Sequence, residues 1–326
     1  MIALLPLLAC GSPPTPPAPT PLERRVTPVS PGPDLVGVCD ASAAVVVGRF
    51  LVVADDERNE LHVFATDGFR PAPRIELKRL SPLFEGKEAD LEGMTTTPDG
   101  LVWVIGSHDA GNGTTRKPER QRLLALRLRE EGDGVAAELV GVATGFVDQG
   151  SEQTPLYDVV GDTEGKTAKD PTGLSIEGLS TDEQGRLLVG FRAPIAGGKA
   201  LVERIDDPNG FLTGGELRLT GPRWAPLDGR GIRAMEWTGE GDALLIVAGP
   251  SDQDPGFALF RWAGFDDKRL PAEPVPVAFG DLNPEGLVRI GDRWWVVSDD
   301  GRREIDGTPC KDLPRDQRRA RTASLP

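Results

Sequence analysis

The sequence predicts an all-β propeller of four-stranded blades, on three observations. One short phrase recurs: Asp90-Leu-Glu92-Gly-Met94, Ser175-Ile-Glu177-Gly-Leu179 and Asn283-Pro-Glu285-Gly-Leu287. Each copy opens an apolar run, a turn and a second apolar run that ends on polar residues, which is a hairpin signal. The units return at intervals of roughly 50 residues, the period of a four-stranded blade. Five units can be counted, so five blades are expected, with six as the alternative.

The first hairpin starts near Ser42, turns at Gly48-Arg49 and ends at Asp55-Asp56. The second starts at Glu92, turns at Pro98-Asp99-Gly100 and ends at His108-Asp109. The third runs from Glu177 through a turn at Asp182 to Gly185 and ends near Arg192. The fourth starts at Arg233 and ends at Ser251-Asp252; the fifth starts at Glu285, turns at Gly291-Asp292 and ends at Asp299-Asp300. A second hairpin follows the first four: Leu61–Ala65 with Arg74–Leu77, Leu123–Leu128 with Ala136–Val140, Lys199–Ile205 with Glu216–Leu219, and Phe257–Trp262 with Val275–Phe279. The fifth unit offers only Arg302–Ile305 as a third strand. Its fourth is expected from the N-terminal Arg25–Ser30, which closes the ring. The longer interval between Glu92 and Glu177 is read as an insertion at 146–172, because that stretch lacks apolar alternation.

The chain has 326 residues, 38% hydrophobic and 27% charged, with Gly 40 and Pro 30. That suits one large turn-rich domain. A formal net charge of −14 argues against nucleic acid as a partner and permits cations. At the N-terminus an apolar run ends in Leu7-Leu8-Ala9-Cys10, which resembles the lipobox of bacterial lipoproteins, although no Lys or Arg precedes it. Residues 1–10 are therefore read as a lipoprotein signal peptide with Cys10 as the lipidated residue. Residues 11–23 read as a Pro-rich tether, 24–310 as the propeller and 311–326 as a basic, disordered tail. The expected location is the cell envelope, with the membrane as partner through the lipid on Cys10 and the chain a monomer. With Cys10 set aside, Cys39 and Cys310 remain. Ring closure would bring them together, so a disulfide is expected.

In an antiparallel hairpin the start of the first strand lies beside the end of the second. The polar strand ends therefore share one rim with the Glu row. First strands line the channel of a propeller, so Ser42, Glu92, Glu177, Arg233 and Glu285 should form a ring at its mouth. The candidate ligand-binding residues around it are Asp55, Asp56, Asp109, Arg192, Arg233, Asp252, Asp299 and Asp300. Crowded carboxylates raise one another's pKa or recruit a cation. Glu92, Glu177 and Glu285 are the candidate metal ligands, and Ca²⁺ suits a carboxylate-rich site in a chain with two histidines. The alternative reading of each Glu-Gly pair is a turn device, with the Gly permitting close approach between blades.

The order D-x-E-G-M … V-I-G-S-H-D, S-I-E-G-L … L-L-V-G-F-R-A-P, G-I-R-A-M-E-W … A-G-P-S-D and N-P-E-G-L … V-V-S-D-D-G spans Leu35 to Gly301. It resembles the bacterial domain-of-unknown-function family 3616 and, more loosely, the esterase-like phytase propeller group. The resemblance implies an extracytoplasmic propeller and little about reaction. No G-x-S-x-G elbow is present, which excludes an α/β-hydrolase. Three functions stay open: binding of a small polar ligand or Ca²⁺ at the mouth, metal-assisted hydrolysis of a phosphate or carboxyl ester there, and a protein-interaction platform without catalysis. For the hydrolase, Glu92, His108, Glu177 and Glu285 are the catalytic candidates. Arg192 and Arg233 would then meet a phosphorylated ligand.

Overall fold

The computed structural model describes residues 25–111, 113–153, 165–167, 170–241, 243–250, 256–267 and 269–326. Five four-stranded antiparallel sheets form the blades. Blade 1 is Ala41–Val47, Phe50–Asp55, Glu60–Ala65 and Arg70–Glu76. Blade 2 is Leu91–Thr96, Val102–Gly106, Leu123–Glu131 and Gly134–Ala143. Blade 3 is Ser175–Thr181, Leu187–Ala196, Lys199–Ile205 and Leu219–Pro226. Blade 4 is Gly231–Trp237, Leu244–Gly249, Ala258–Trp262 and Ala272–Val275. Each blade's first strand packs on the next blade's first strand, and that of blade 5 packs on blade 1, so the ring is closed. The architecture is the five-bladed one.

The core is divided among five seams. Successive side chains of a strand point to opposite faces of its sheet, so each blade feeds two seams. Val52 packs towards Met94 and Val104 of blade 2, whereas Val53 packs towards Val288 and Val297 of blade 5. Both faces of the second strands are buried, which is why they read as unbroken apolar runs rather than alternating ones. Between blades 2 and 3 the helix Phe146–Gln153 plugs the seam with Phe146 and Val147. This helix opens the expected insertion, whose remainder lies mostly outside the described residues.

Blade 5 departs from expectation. Its inner hairpin is Pro284–Ile290 with Arg293–Ser298, but its third strand is Thr322–Ser324, not Arg302–Ile305. Its fourth is the N-terminal Ser30–Pro31, so the expected closure by an N-terminal strand holds. Thr322, Ala323 and Ser324 are small enough to be fully enclosed, whereas Glu304–Ile305 folds into a short hairpin with Thr308–Pro309. The reading of 311–326 as a disordered tail is therefore corrected. Its arginines are clamps: Arg315 bonds Glu60, Arg318 bonds two carbonyls of its own turn, and Arg321 bonds Asp300 and Asp281. Blade 3 also differs, because the helix Pro208–Leu212, capped by Asp207, delays its fourth strand beyond Glu216–Leu219.

Cys39 and Cys310 form the expected disulfide, with Cα atoms 5.9 Å apart across 271 positions of sequence. It ties the start of blade 1 to the C-terminal segment. No helix among the described residues is long and apolar enough to cross a membrane. The tether and Cys10 lie outside the described residues.

Candidate functional site

The phrase around each glutamate is a β-bulge. Cα pairing along the inner hairpins skips one residue in every blade: between Ala41 and Ala43, Leu91 and Gly93, Ile176 and Gly178, Ile232 and Ala234, and Pro284 and Gly286. The skipped residues are Ser42, Glu92, Glu177, Arg233 and Glu285. Unbroken pairing would set Glu285 opposite Ser298; the bulge sets Pro284 there. An extra residue in one strand re-aims its side chain, and here three of the five, Glu92, Glu177 and Glu285, reach the axis together. The following glycine has its own cause. A Cβ on Gly93 would stand 2.7 Å from Leu179 Cβ, and one on Gly178 2.7 Å from Ile232 Cγ2, so the next blade leaves no room for a methyl group. Of the turn-device reading, the structure bears out the glycine's close approach between blades at Gly93 and Gly178.

Above the ring opens a cavity of about 600 Å³, lined by Glu92, Glu177, Arg192, Arg233 and Glu285 from the channel and by acids and bases of the rim. Below it the axis narrows to about 10 Å³ between residues such as Ala43, Met94, Leu179 and Leu287. The wide part of the channel is thus a cup at the mouth.

The ring is electrostatically lopsided. Arg233 is buried between two acids: its Nε lies 2.9 Å from Glu177 Oε2, and its Nη2 contacts Glu285 Oε1. Arg192 adds a bond of 2.8 Å to Glu177, and Asn283 donates to Glu285 at 3.1 Å. Glu177 and Glu285 are therefore committed to ion pairs. Ser42 turns sideways and donates to the carbonyl of Leu91 in blade 2. Glu92 is different. It is 9% exposed, and among the described residues no hydrogen bond or ion pair reaches it.

Arg233 attracts Glu92 from within the ring, but the acids around it outweigh that pull. Carboxylate oxygens of Asp56, Asp90 and Glu92 all lie within 4.8 Å of one another. Asp56 Oδ1 is buried and accepts no hydrogen bond. Burial, then Glu177, Asp90 and Asp56, hold the Glu92 carboxyl well above its ordinary range. Burial, then Asp299 and Asp40, do the same to Asp56. Asp90 is pushed up to about 8 by burial and by Asp109, against the pull of Arg120. Three oxygens at this spacing are within reach of one divalent cation, which would draw its remaining oxygen ligands from elsewhere. Asp90 also sits in the left-handed backbone region, at φ 52°, and His108 beside it at φ 58°. Such conformations cost energy and cluster where geometry matters.

The remaining candidates divide by direction. Asp299 and Asp300 both line the cavity; Asp299 accepts from Asn283, and Asp300 is held by Arg321 and Ser298. Asp55 lies behind the rim, 3.3 Å from His62 and 3.6 Å from Arg58. Asp109 is 2.6 Å from Arg120, which also binds Asp90 and Glu88. His108 does not line the cup. Its Nδ1 meets the Gly106 carbonyl at 2.9 Å, its ring packs edge-on against Phe146, and burial pushes its pKa down to about 4. Asp252 falls outside the described residues. Sequence reasoning passed over Asp40, Asp90, Arg120 and Arg302. Asp90 was legible in the D-x-E of the phrase itself; Arg120 joins from a strand-free segment with no pattern to mark it.

The pattern that defines a family described as a protein of unknown function (DUF3616) matches residues 40–131 and 165–277. The chain belongs to the DUF3616 family. The matched segments contain Asp56, Asp90, Glu92, Glu177 and Arg233, and stop before Glu285. No curated protein matches this DUF3616 chain. Among solved structures, it is similar to the PQQ-bound aldose sugar dehydrogenase of Streptomyces coelicolor, at 14% identity over 92% of this chain and 98% of that one, with a TM-score of 0.44. It is also similar to Myxococcus xanthus glutaminyl cyclase, at 8% identity over 92% and 98% of the two chains, with a TM-score of 0.48. The Malassezia sympodialis allergen Mala s 1 gives 11% over 83% and 74%, with a TM-score of 0.44. Likenesses this distant carry no inference about the chemistry of the DUF3616 site.

Proposed function

We propose that this chain is a lipid-anchored, extracytoplasmic propeller that holds a Ca²⁺ ion on Asp56, Asp90 and Glu92 and uses it to bind a small polar ligand in the cup. The observation that carries the reading is Glu92, a buried carboxylate with no partner among the described residues, aimed at two more carboxylates within 4.8 Å. Leaving such a group unpaired in a half-dry site is costly. The metal ligands are thus Asp56, Asp90 and Glu92: of the ring glutamates only Glu92 is kept, because Arg233 pairs with Glu177 and Glu285, and Asp90 would share its carboxylate between the cation and Arg120.

Calorimetric melting in chelator and in millimolar Ca²⁺ tests this. A ligand that binds only the folded state raises stability by about 2.7 kcal/mol at a hundred times its Kd. Ca²⁺ should raise the Tm of the wild type clearly more than that of Glu92→Gln. An equal response in both proteins, or none in either, would refute the assignment. The anchor rests on Leu7-Leu8-Ala9-Cys10 and the tether; radiolabelled palmitate should enter the wild-type protein and not Cys10→Ser.

A second reading, metal-assisted hydrolysis of a phosphate or carboxyl ester, is favoured by one feature. The cations Arg192, Arg233 and Arg302 line the same cup as the acidic cluster, which pairs a Lewis acid with anion-binding groups. Ca²⁺-dependent turnover of an ester panel, abolished in Glu92→Gln, would support it. Turnover that persists in that variant would exclude it.

A further inference from the structure

A second cavity, of about 300 Å³, lies between the outer strands of blades 3 and 4 and shares no lining residue with the cup. Trp224 stands on the last strand of blade 3, and Trp262 ends the third strand of blade 4; Pro222, Pro226 and Pro271 extend the apolar walls. Trp262 is 2% exposed, yet no hydrogen bond reaches its indole N–H among the described residues. An indole N–H can only donate, and leaving such a donor buried and unpaired is costly. Gly264 lines the same cleft and keeps this donor clear: a Cβ there would overlap Trp262 Nε1.

The cleft is also positive. Arg269 is neutralised by two bonds to Asp267, at 2.9 and 2.8 Å. Arg223 forms no ion pair among the described residues. Its Nε donates to the Phe265 carbonyl at 2.6 Å and its Nη1 to the Pro222 carbonyl at 3.2 Å, while the guanidinium packs 5.4 Å from the Phe265 ring centre. These contacts fix the fork and leave Nη2 without a partner among the described residues. Glu203 feels the charge of Arg223, but it is fully buried and neither of its oxygens accepts a hydrogen bond. Burial pushes its carboxyl up to about 8 against the pull of Arg223, so at neutral pH it is protonated and does not cancel that charge. Lys199 adds an exposed ammonium to the lining.

We propose that this cleft is a second binding site, for a small carboxylate that carries a ring, with the ring against Trp224 and the carboxylate on Arg223 and the Trp262 N–H. A guanidinium fork matches the paired oxygens of a carboxylate. The indole supplies the further donor, and a tryptophan face gives a ring a large apolar area to cover. A volume of about 300 Å³ is at the small end of ligand sites, which suits one ring. The site stands independently of any cation in the cup. Sugar acids and aromatic acids share this chemistry, and the test separates them.

Isothermal titration calorimetry of the full chain with galacturonate, benzoate, their uncharged counterparts galactose and benzyl alcohol, and inorganic phosphate tests the assignment. At least one carboxylate should bind at one site per chain, and at least tenfold more tightly than its uncharged counterpart. Galacturonate alone would mark a sugar-acid site, and benzoate alone an aromatic-acid site. Arg223→Gln and Trp224→Leu should each weaken that binding at least tenfold, whereas Glu92→Gln, in the cup, should leave it unchanged. Binding of neither carboxylate, equal binding of the uncharged counterparts, phosphate bound in their place, or affinity retained in either cleft variant would overturn the proposal.

Discussion

At the residue scale, three glutamates in one repeated phrase do two different things. Glu177 and Glu285 neutralise Arg233; Glu92 takes no ion pair among the described residues and is the one the proposal gives to a cation. Breaking a buried pair strands a charge, which costs about 3–5 kcal/mol. Glu177→Gln should therefore destabilise the fold by about that much in urea unfolding, with or without Ca²⁺. The pH response separates the roles. Burial and neighbouring acids push Asp40 up to about 7 and Asp90 up to about 8. Free aspartate titrates near 3.9, so between about pH 4 and 8 the folded, cation-free protein holds protons that the unfolded chain has released. Its stability should fall as pH rises through that window. Ca²⁺ keeps the carboxylates ionised and should flatten the slope. Melting temperatures from pH 5 to 8.5 in chelator, compared with Asp90→Asn, read this directly. A Tm that climbs with pH in chelator contradicts it.

At the element scale, the fold was legible because hairpins announce themselves. Apolar runs flanking Gly48-Arg49 or Gly291-Asp292 mark strands and turns locally, and the period gave the blade count. The bulges were not legible. Nothing in S-I-E-G-L says that Glu177 lies outside the ladder, nor that its glycine is required by Ile232 of the next blade, a contact between residues far apart in sequence. The same contact predicts the effect of a methyl group. Gly93→Ala should cost about 1–3 kcal/mol by overpacking against Leu179, measured by chemical denaturation, although alanine is otherwise the better backbone choice. The third strand of blade 5 was missed for a related reason. Thr322-Ala-Ser324 is too short and too polar to show a period, and only the groove between Ser30–Pro31 and Arg293–Ser298 makes it a strand.

At the scale of the whole molecule, both described ends of the chain meet in blade 5, and the Cys39–Cys310 disulfide locks that closure next to the cup. Closing so long a loop stabilises by about 5 kcal/mol in the chain-entropy model. Cys39→Ala with Cys310→Ala should lower the melting temperature markedly. Because Asp40 and Lys311 adjoin the two cysteines and line the cup, the same change should weaken Ca²⁺ binding. The cup is thus a product of ring closure: the carboxylates that line it come from blades 1, 2, 3 and 5, and no single repeat contains it. The most direct test is diffraction from crystals soaked in a calcium-site lanthanide such as Tb³⁺. An anomalous peak bounded by Asp56, Asp90 and Glu92 is the predicted result. A fully occupied lanthanide elsewhere in the cup, with those three carboxylates bare, would contradict the account.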